Sequence, residues 1–185
     1  VDIAKLEKNK FKKQKAEDWV ALLTPILKSF STDLGLESAN IALQIYGGHG
    51  YIKDHGIEQL VRDSRIAPIY EGTNGIQALD LVGRKMPMHT GRLLKSFFHE
   101  VKEYLEKNSF NYNLNEFTPH LIKSFGRLQQ VTSFLASRGL SDPDEAAGAS
   151  VDYLKMFSLV AIGYIWTRYA EISSNKLNDD PDNFY

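Results

Sequence analysis

The apolar residues of this chain recur at steps of three and four in one segment after another, a period that leaves the α-helix as the regular structure it can build. Leu94, Phe98, Val101 and Leu105 keep the step, and so do Leu121, Phe125, Leu128, Thr132 and Leu135. Trp19, Leu23, Ile26, Phe30 and Leu34 make a third stripe, which continues through Ala39, Ala42, Leu43 and Tyr46. No strand-like alternation is bounded by hairpin turns, and no repeat with a period of roughly 20–50 residues is visible. The predicted fold class is therefore all-α: an antiparallel helical bundle over residues 1–85, then a second helical segment over residues 86–185.

Punctuation between the stripes places the helix ends. Val1 to Lys15 carries six lysines and few large apolar groups, so it reads as a solvated helix or a linker. Pro25 after Thr24 either restarts the first long helix, with Thr24 as its N-cap, or kinks it. Gly47-Gly48-His49-Gly50 ends that helix in a tight turn, because glycine permits positive φ and close backbone approach. A short helix follows, with Ile57, Leu60, Val61 and Ser64 on one face and Glu58, Arg62, Asp63 and Arg65 on the other; Ala67-Pro68 stops it. Thr73 or Asn74 caps a helix that carries Ile76, Leu79 and Val82 and finishes at Arg84-Lys85, where cations are favoured.

Met86-Pro87 marks a boundary between two helical layers. Beyond it, Thr90 to Lys107 is a helix and Asn108 to Asn115 a loop by composition. Thr118-Pro119 starts the next helix, unless that helix begins near Leu114 and runs through the proline. Asp142-Pro143-Asp144-Glu145 is a start signal, with Asp142 as N-cap and Pro143 in the first position. The helix after it, through Val151, Leu154, Phe157, Ala161, Tyr164 and Ile165, is apolar around most of its circumference and belongs at the centre. Antiparallel packing is expected across the short Gly139–Asp142 connection, and Asn178 to Asn183 is an acidic, loop-like tail.

Composition excludes several kinds of function. Twenty-two basic residues against 23 acidic ones leave a net charge of -1, so no global field draws in nucleic acid or an anionic membrane. Zero cysteines exclude a disulfide framework, thiolate zinc sites and a cysteine nucleophile, and they fit a reducing compartment. No apolar run reaches the ~18 residues of a membrane span. The longest, Met156 to Trp166, suits a buried core helix. The first residue is Val1, not methionine, and no signal or transit-like segment follows it, so the chain reads as an excised piece.

Candidate sites are few. His49, His55, His89, His99 and His120 make no His-x-x-x-His pair with a carboxylate partner, so no metal site is expected. Arg62-Asp63-Ser64-Arg65 reads as an ion-paired face. The Gly47–Gly50 turn does not follow a strand and is not a dinucleotide fingerprint, although its glycines let a flat ligand approach the backbone. Glu71 lies in a helix break between Tyr70 and Gly72. By residues alone it is a surface acid capping the next helix, or a general base if the apolar helix ends beside it exclude water. A solvated glutamate, with a pKa of about 4.3, is a weak base until burial raises that value.

Three motifs occur in order: Leu43-Gln44-Ile45-Tyr46-Gly47-Gly48-His49-Gly50-Tyr51, Glu58-Gln59-Leu60-Val61-Arg62-Asp63-Ser64-Arg65-Ile66 and Ile69-Tyr70-Glu71-Gly72-Thr73-Asn74-Gly75-Ile76-Gln77. Together they closely resemble the C-terminal helical domain of the acyl-CoA dehydrogenases, most strongly over Trp19 to Lys85. The helices after Lys85 look like the extra C-terminal domain of longer bacterial members, which include enzymes of the methylthiopropanoyl-CoA type. The resemblance implies an FAD-dependent oxidoreductase in which Glu71 removes the α-proton of an acyl-CoA thioester while a hydride passes to flavin. It implies substrate contacts at Tyr70 and Gly72, and flavin contacts at Thr73, Gln44, Gly47 and Gly48, the last three to a flavin held by a neighbouring subunit. It further implies a homodimer or homotetramer, an electron-transfer flavoprotein or similar acceptor, and a bacterial cytoplasmic setting.

Two departures from the family stand out. Gly75 replaces the glutamine or glutamate often found there, and Gln77 cannot be assumed to take over its contact. The family's N-terminal helices and middle β-domain are missing, so the chain is expected to bind flavin weakly and to catalyse nothing alone. For residues 86–185, where no catalytic constellation appears, the expected role is a helical oligomerisation or interaction module.

Overall fold

The computed structural model of the chain describes residues 1–179, and every regular element among them is helical. α1 (Asp2–Leu6) is a single exposed stretch that breaks at Glu7, where the backbone turns extended. α2 (Lys10–Ile45) then begins at Asn9, whose side chain accepts hydrogen bonds from the Phe11 and Lys12 N–H groups and so satisfies two of the free donors of a helix start. The lysine-rich N-terminus is thus both things expected of it, a short helix and a linker.

At 36 residues, α2 is about 54 Å long. Pro25 neither restarts nor ends it. The proline is buried inside the continuous helix, and Thr24, which is no N-cap, turns its hydroxyl back onto the Val20 carbonyl. The face that enters the core is Asp18, Leu22, Pro25, Ile26 and Ser29, about one position away from the stripe read along the sequence; Leu34, at the end of that stripe, is exposed.

Past α2 the chain makes a 3₁₀ turn at Gly47–Tyr51, a second at Lys53–His55, and α3 (Ile57–Arg65), which lies against α2. Arg62 pairs with Glu58 at 3.0 Å and Gln59 donates to Asp63, so the charged face of α3 is an ion-paired surface. α4 (Asn74–Asp80) is capped by Thr73, whose hydroxyl oxygen accepts from the Ile76 N–H. It buries Ala78 and then Leu81 and Met86, whereas Ile76 and Leu79 point outward, against expectation. The reason lies in the turn of π-helix at Leu81–Lys85, where Met86 N–H reaches the Leu81 carbonyl five residues back and shifts the register of everything after Asp80.

α5 (Met88–Lys107) opens on three successive left-handed residues, His89, Thr90 and Gly91, and is regular only from Arg92. The loop after it contains a 3₁₀ turn at Tyr112–Leu114 that buries Leu114. α6 (Thr118–Ser141) starts at Thr118, with Pro119 in its first turn, and buries Leu121, Phe125, Leu128, Thr132 and Leu135 as predicted. Asp142 caps α7 (Pro143–Gly148) through the Asp144 and Glu145 N–H groups. The chain breaks once more at Ala149 before α8 (Ser150–Asp179), so the predicted single helix is two. Of the predicted tail, Asn178 and Asp179 close α8, and the remainder lies outside the described residues.

α8 is central, touching α2, α4, α6 and α7. Phe157 packs with Phe97, Phe98 and Tyr153, and Phe97 in turn packs with Trp19 and Tyr164. Inside this aromatic core the Tyr153 and Thr132 hydroxyls share a buried hydrogen bond of 2.7 Å. Leu22 and Ile26 of α2 join the same core as Leu93 to Leu105 of α5 and Leu121 to Leu135 of α6, so Met86 sits inside a continuous apolar cluster. A buried ion pair adds a polar tie: Arg92 Nε and Nη2 donate to the two Asp18 carboxylate oxygens at 2.9 and 3.0 Å.

Candidate functional site

Between Ser29 and Ala78 only Gly50 and Pro68 are buried, and the predicted site residues all lie in that stretch. Pro68 directs the chain out of α3. Tyr70 N–H still donates to the Ile66 carbonyl at 3.1 Å, and Asn74 N–H donates back to the Pro68 carbonyl at 3.1 Å, which closes a loop around Ile69 to Thr73. Inside it Glu71 and Gly72 are both left-handed, at φ +53° and +83°. That is free for glycine and costs a glutamate about 1–2 kcal/mol, so something must hold it there.

Three side chains hold it. Gln77 Nε2 donates to the Glu71 and Gly72 carbonyls at 3.2 and 3.3 Å. Lys28 Nζ, from α2, donates to the Gly72 carbonyl at 2.9 Å and to Asn74 Oδ1 at 2.8 Å. Asn74 Nδ2 donates to the Ser29 carbonyl, Thr32 Oγ1 and Asp33 Oδ1 at 3.2, 3.0 and 2.7 Å. None of the three stood out in the sequence as an anchor, since Lys28 and Gly72 are 44 positions apart. The capping signal at Thr73-Asn74 was the single local clue.

The Glu71 carboxylate itself is exposed, as is Tyr70, so this chain does not supply the dry surroundings a carboxylate base requires. Its N–H donates to no backbone carbonyl among the described residues and is left as an available donor.

The structure brings Tyr70, Glu71, Gly72 and Thr73 into one turn and puts Gln44, Gly47 and Gly48 elsewhere. The glycine turn follows the C-terminal end of α2, while the Glu71 turn is tied to Lys28–Asp33; from Asp33 to Gln44 is about 17 Å along the helix. Gly47 is left-handed at φ +58°, and a Cβ on Gly47 or Gly48 would meet no atom within 4 Å. Gly50 is the opposite case: a Cβ there would lie 2.6 Å from the Leu43 carbonyl oxygen. One face of the turn is therefore bare backbone, and the other is packed onto α2.

The largest cavity described, about 720 Å³, contains none of these residues. It opens between the π-turn, α5 and the α6–α7 corner and is lined by Val82, Met86, Leu94, Phe98, Leu135 and Leu140. Among the described residues no group of three or more histidines and carboxylates is placed to hold a metal ion, although His49 and His55 meet edge to face, their ring centroids 5.3 Å apart. No helix among them is long and apolar enough to cross a membrane.

Comparison with known proteins divides the chain at the same place as its π-turn. Residues 8–86 match the family described as "Acyl-CoA dehydrogenase, C-terminal domain", and residues 97–185 match "Acetyl-CoA dehydrogenase C-terminal like". A 3-methylmercaptopropionyl-CoA dehydrogenase of Ruegeria pomeroyi is 32% identical over 150 residues, covering 80% of this chain and 26% of that protein. A butyryl-CoA dehydrogenase of Syntrophomonas wolfei is 27% identical over 146 residues, covering 79% and 22%. In fold, the chain superposes on Caenorhabditis elegans ACDH-11, solved in complex with C11-CoA, with a TM-score of 0.64 at 18% identity, over 92% of this chain and 34% of that one. The chain thus spans about a quarter of the length of the curated relatives it matches.

Proposed function

This chain belongs to the acyl-CoA dehydrogenase family, and from that premise we propose that it forms the proton-abstracting wall of an enzyme that dehydrogenates an acyl-CoA thioester between its α and β carbons. Glu71 is the base. The observation that carries this reading is the anchored left-handed turn, which presents a carboxylate and its own free N–H on the same residue. An α-proton next to a thioester is weakly acidic, so its removal needs a base and, at the same time, a hydrogen-bond donor for the oxygen that gains charge. Glu71 offers the carboxylate for the first task and its N–H for the second. Tyr70 and Gly72 flank the acyl group, and the missing Cβ at Gly72 leaves room for it.

The residues present fit a flavin along an edge. Gly47 and Gly48 leave backbone uncovered where a flat ring system can lie, and the exposed Gln44 stands beside them. Thr73 uses its hydroxyl oxygen to accept from Ile76 N–H, which leaves its own proton free to donate. FAD, when bound, accepts the hydride from the β carbon. The separation of about 17 Å between the two groups along α2 supports their serving two different flavins, the glycine turn meeting that of a neighbouring subunit in a homodimer or homotetramer. The whole enzyme passes its electrons to an electron-transfer flavoprotein or a similar acceptor in the bacterial cytoplasm.

Glu71→Gln in the full-length protein tests the assignment. Flavin content should be retained and substrate-dependent bleaching of the flavin lost; near-normal turnover would rule Glu71 out. The chain by itself should bind FAD weakly and catalyse nothing, and a tight one-to-one complex in a titration would overturn that claim.

A separate role suits residues 86–185, which carry no catalytic constellation but expose Leu140 and Trp166 on their surface. That second domain serves assembly. Replacing both residues by glutamate should lower the oligomeric state of the full-length protein in sedimentation while leaving flavin content intact.

A further inference from the structure

We propose that Lys28, with Gln77 on the opposite side, is a positioning residue that locks the Glu71 turn in one orientation, an assignment that rests on Glu71 being the base. Lys28 is half-buried on α2, and among the described residues no carboxylate lies within 4 Å of its ammonium. It donates instead to a main-chain carbonyl, Gly72 O at 2.9 Å, and to a neutral amide oxygen, Asn74 Oδ1 at 2.8 Å. A partly desolvated ammonium held by uncharged acceptors is costly to keep unless those bonds fix something.

What they fix is the peptide after Gly72. Its carbonyl is gripped from α2 by Lys28 and from α4 by Gln77 Nε2, which also holds the Glu71 carbonyl. Glycine lets a peptide plane rotate with little resistance, and Glu71 at φ +53° gains by relaxing to an ordinary conformation. If Gly72 turned, Glu71 would follow and its carboxylate would swing away from the α carbon. Asn74 secures the far end of the device, since Lys28 orients its Oδ1 while its Nδ2 is tied to Ser29, Thr32 and Asp33.

The clamp is separable from stability of the fold. The Lys28 ammonium lies at the rim of α2, away from the Leu22–Ile26 core, and the loop keeps its own closure from Asn74 N–H to the Pro68 carbonyl and its Thr73 cap without Lys28. Lys28→Met retains the methylene stem and loses only the donors.

The experiment uses the full-length FAD-bound enzyme and compares Lys28→Met, Lys28→Arg, Gln77→Leu and Glu71→Gln by rapid-mixing measurement of substrate-dependent flavin bleaching, with KM, flavin content and thermal midpoint recorded for each. Lys28→Met should bleach roughly 10–100-fold more slowly, the penalty of a base displaced by about 1 Å, with KM, flavin content and midpoint unchanged. Lys28→Arg should recover part of the rate, and Gln77→Leu should show a smaller loss of the same kind. Bleaching by Lys28→Met at the wild-type rate, while Glu71→Gln does not bleach, overturns the positioning role and leaves Glu71 as base. Wild-type bleaching by Glu71→Gln overturns the reading beneath it. If Lys28→Met loses flavin or fails to fold, Gln77→Leu decides: slower bleaching at constant KM supports the clamp, and an unchanged rate overturns it.

Discussion

The stretch from residue 30 to residue 77 and the stretch from residue 88 to residue 167 are built on opposite plans. The later stretch buries a residue at nearly every turn of α5, α6 and α8, and its aromatic side chains pack against one another around Phe157. The earlier one buries Gly50 and Pro68 and leaves Leu34, Ile41, Ile45, Tyr46, Leu60 and Ile66 open to water. Every proposed catalytic and flavin-contacting residue sits in the earlier stretch. A surface with that many uncovered aliphatic and aromatic groups is a wall awaiting its partner. The part of the molecule that does chemistry is accordingly the part least able to hold itself together, and the aromatic core serves as its foundation.

The sharpest way to break this contrast is Phe157→Ala. Phe157 is fully buried among three aromatic rings, and its truncation should cost about 3–5 kcal/mol in urea unfolding of the chain. A cost near zero would mean that the foundation lies elsewhere.

Gly50→Ala comes next. Its methyl would stand 2.6 Å from the Leu43 carbonyl oxygen and 2.9 Å from Tyr46 Cβ, so the turn must open, at about 1–3 kcal/mol. The loss should appear as faster amide exchange confined to the end of α2 and the glycine turn, with α6 and α8 as protected as before. Loss of protection throughout would show that the two stretches unfold as one.

The smallest effect separates this chain from the whole protein. Leu34→Ser should change the stability of the chain alone by less than about 0.5 kcal/mol, because Leu34 is already exposed, and should destabilise the full-length protein measurably more. Equal effects in both settings would mean that nothing covers this face of α2.

How far the sequence reveals these features depends on the distance over which each is determined. The α6 stripe from Leu121 to Leu135, the Asp142 cap and the Thr73 cap are legible because helix period and capping are decided within a few residues. The buried face of α2 comes out one position off, because Pro25 sits inside the helix and the choice of face belongs to its partners in α5 and α8. The outward turn of Ile76 and Leu79 escapes for a similar reason, since the π-turn that sets the register lies after them and leaves no residue signature. Asp18 with Arg92 and Lys28 with Gly72 are 74 and 44 positions apart, and no local pattern joins them. At the site, the order of the three motifs is what singles out Glu71. Its exposure and its left-handed backbone are visible only in three dimensions.

That left-handed backbone has a consequence for any library of variants at position 71. Ranked by how well the chain folds, glycine and asparagine should lead and valine or isoleucine should trail, because a branched Cβ crowds the carbonyl in this conformation. Ranked by turnover, only glutamate should survive. Foldability and activity thus select different amino acids at one codon, and homologues that have lost the reaction should drift there toward glycine.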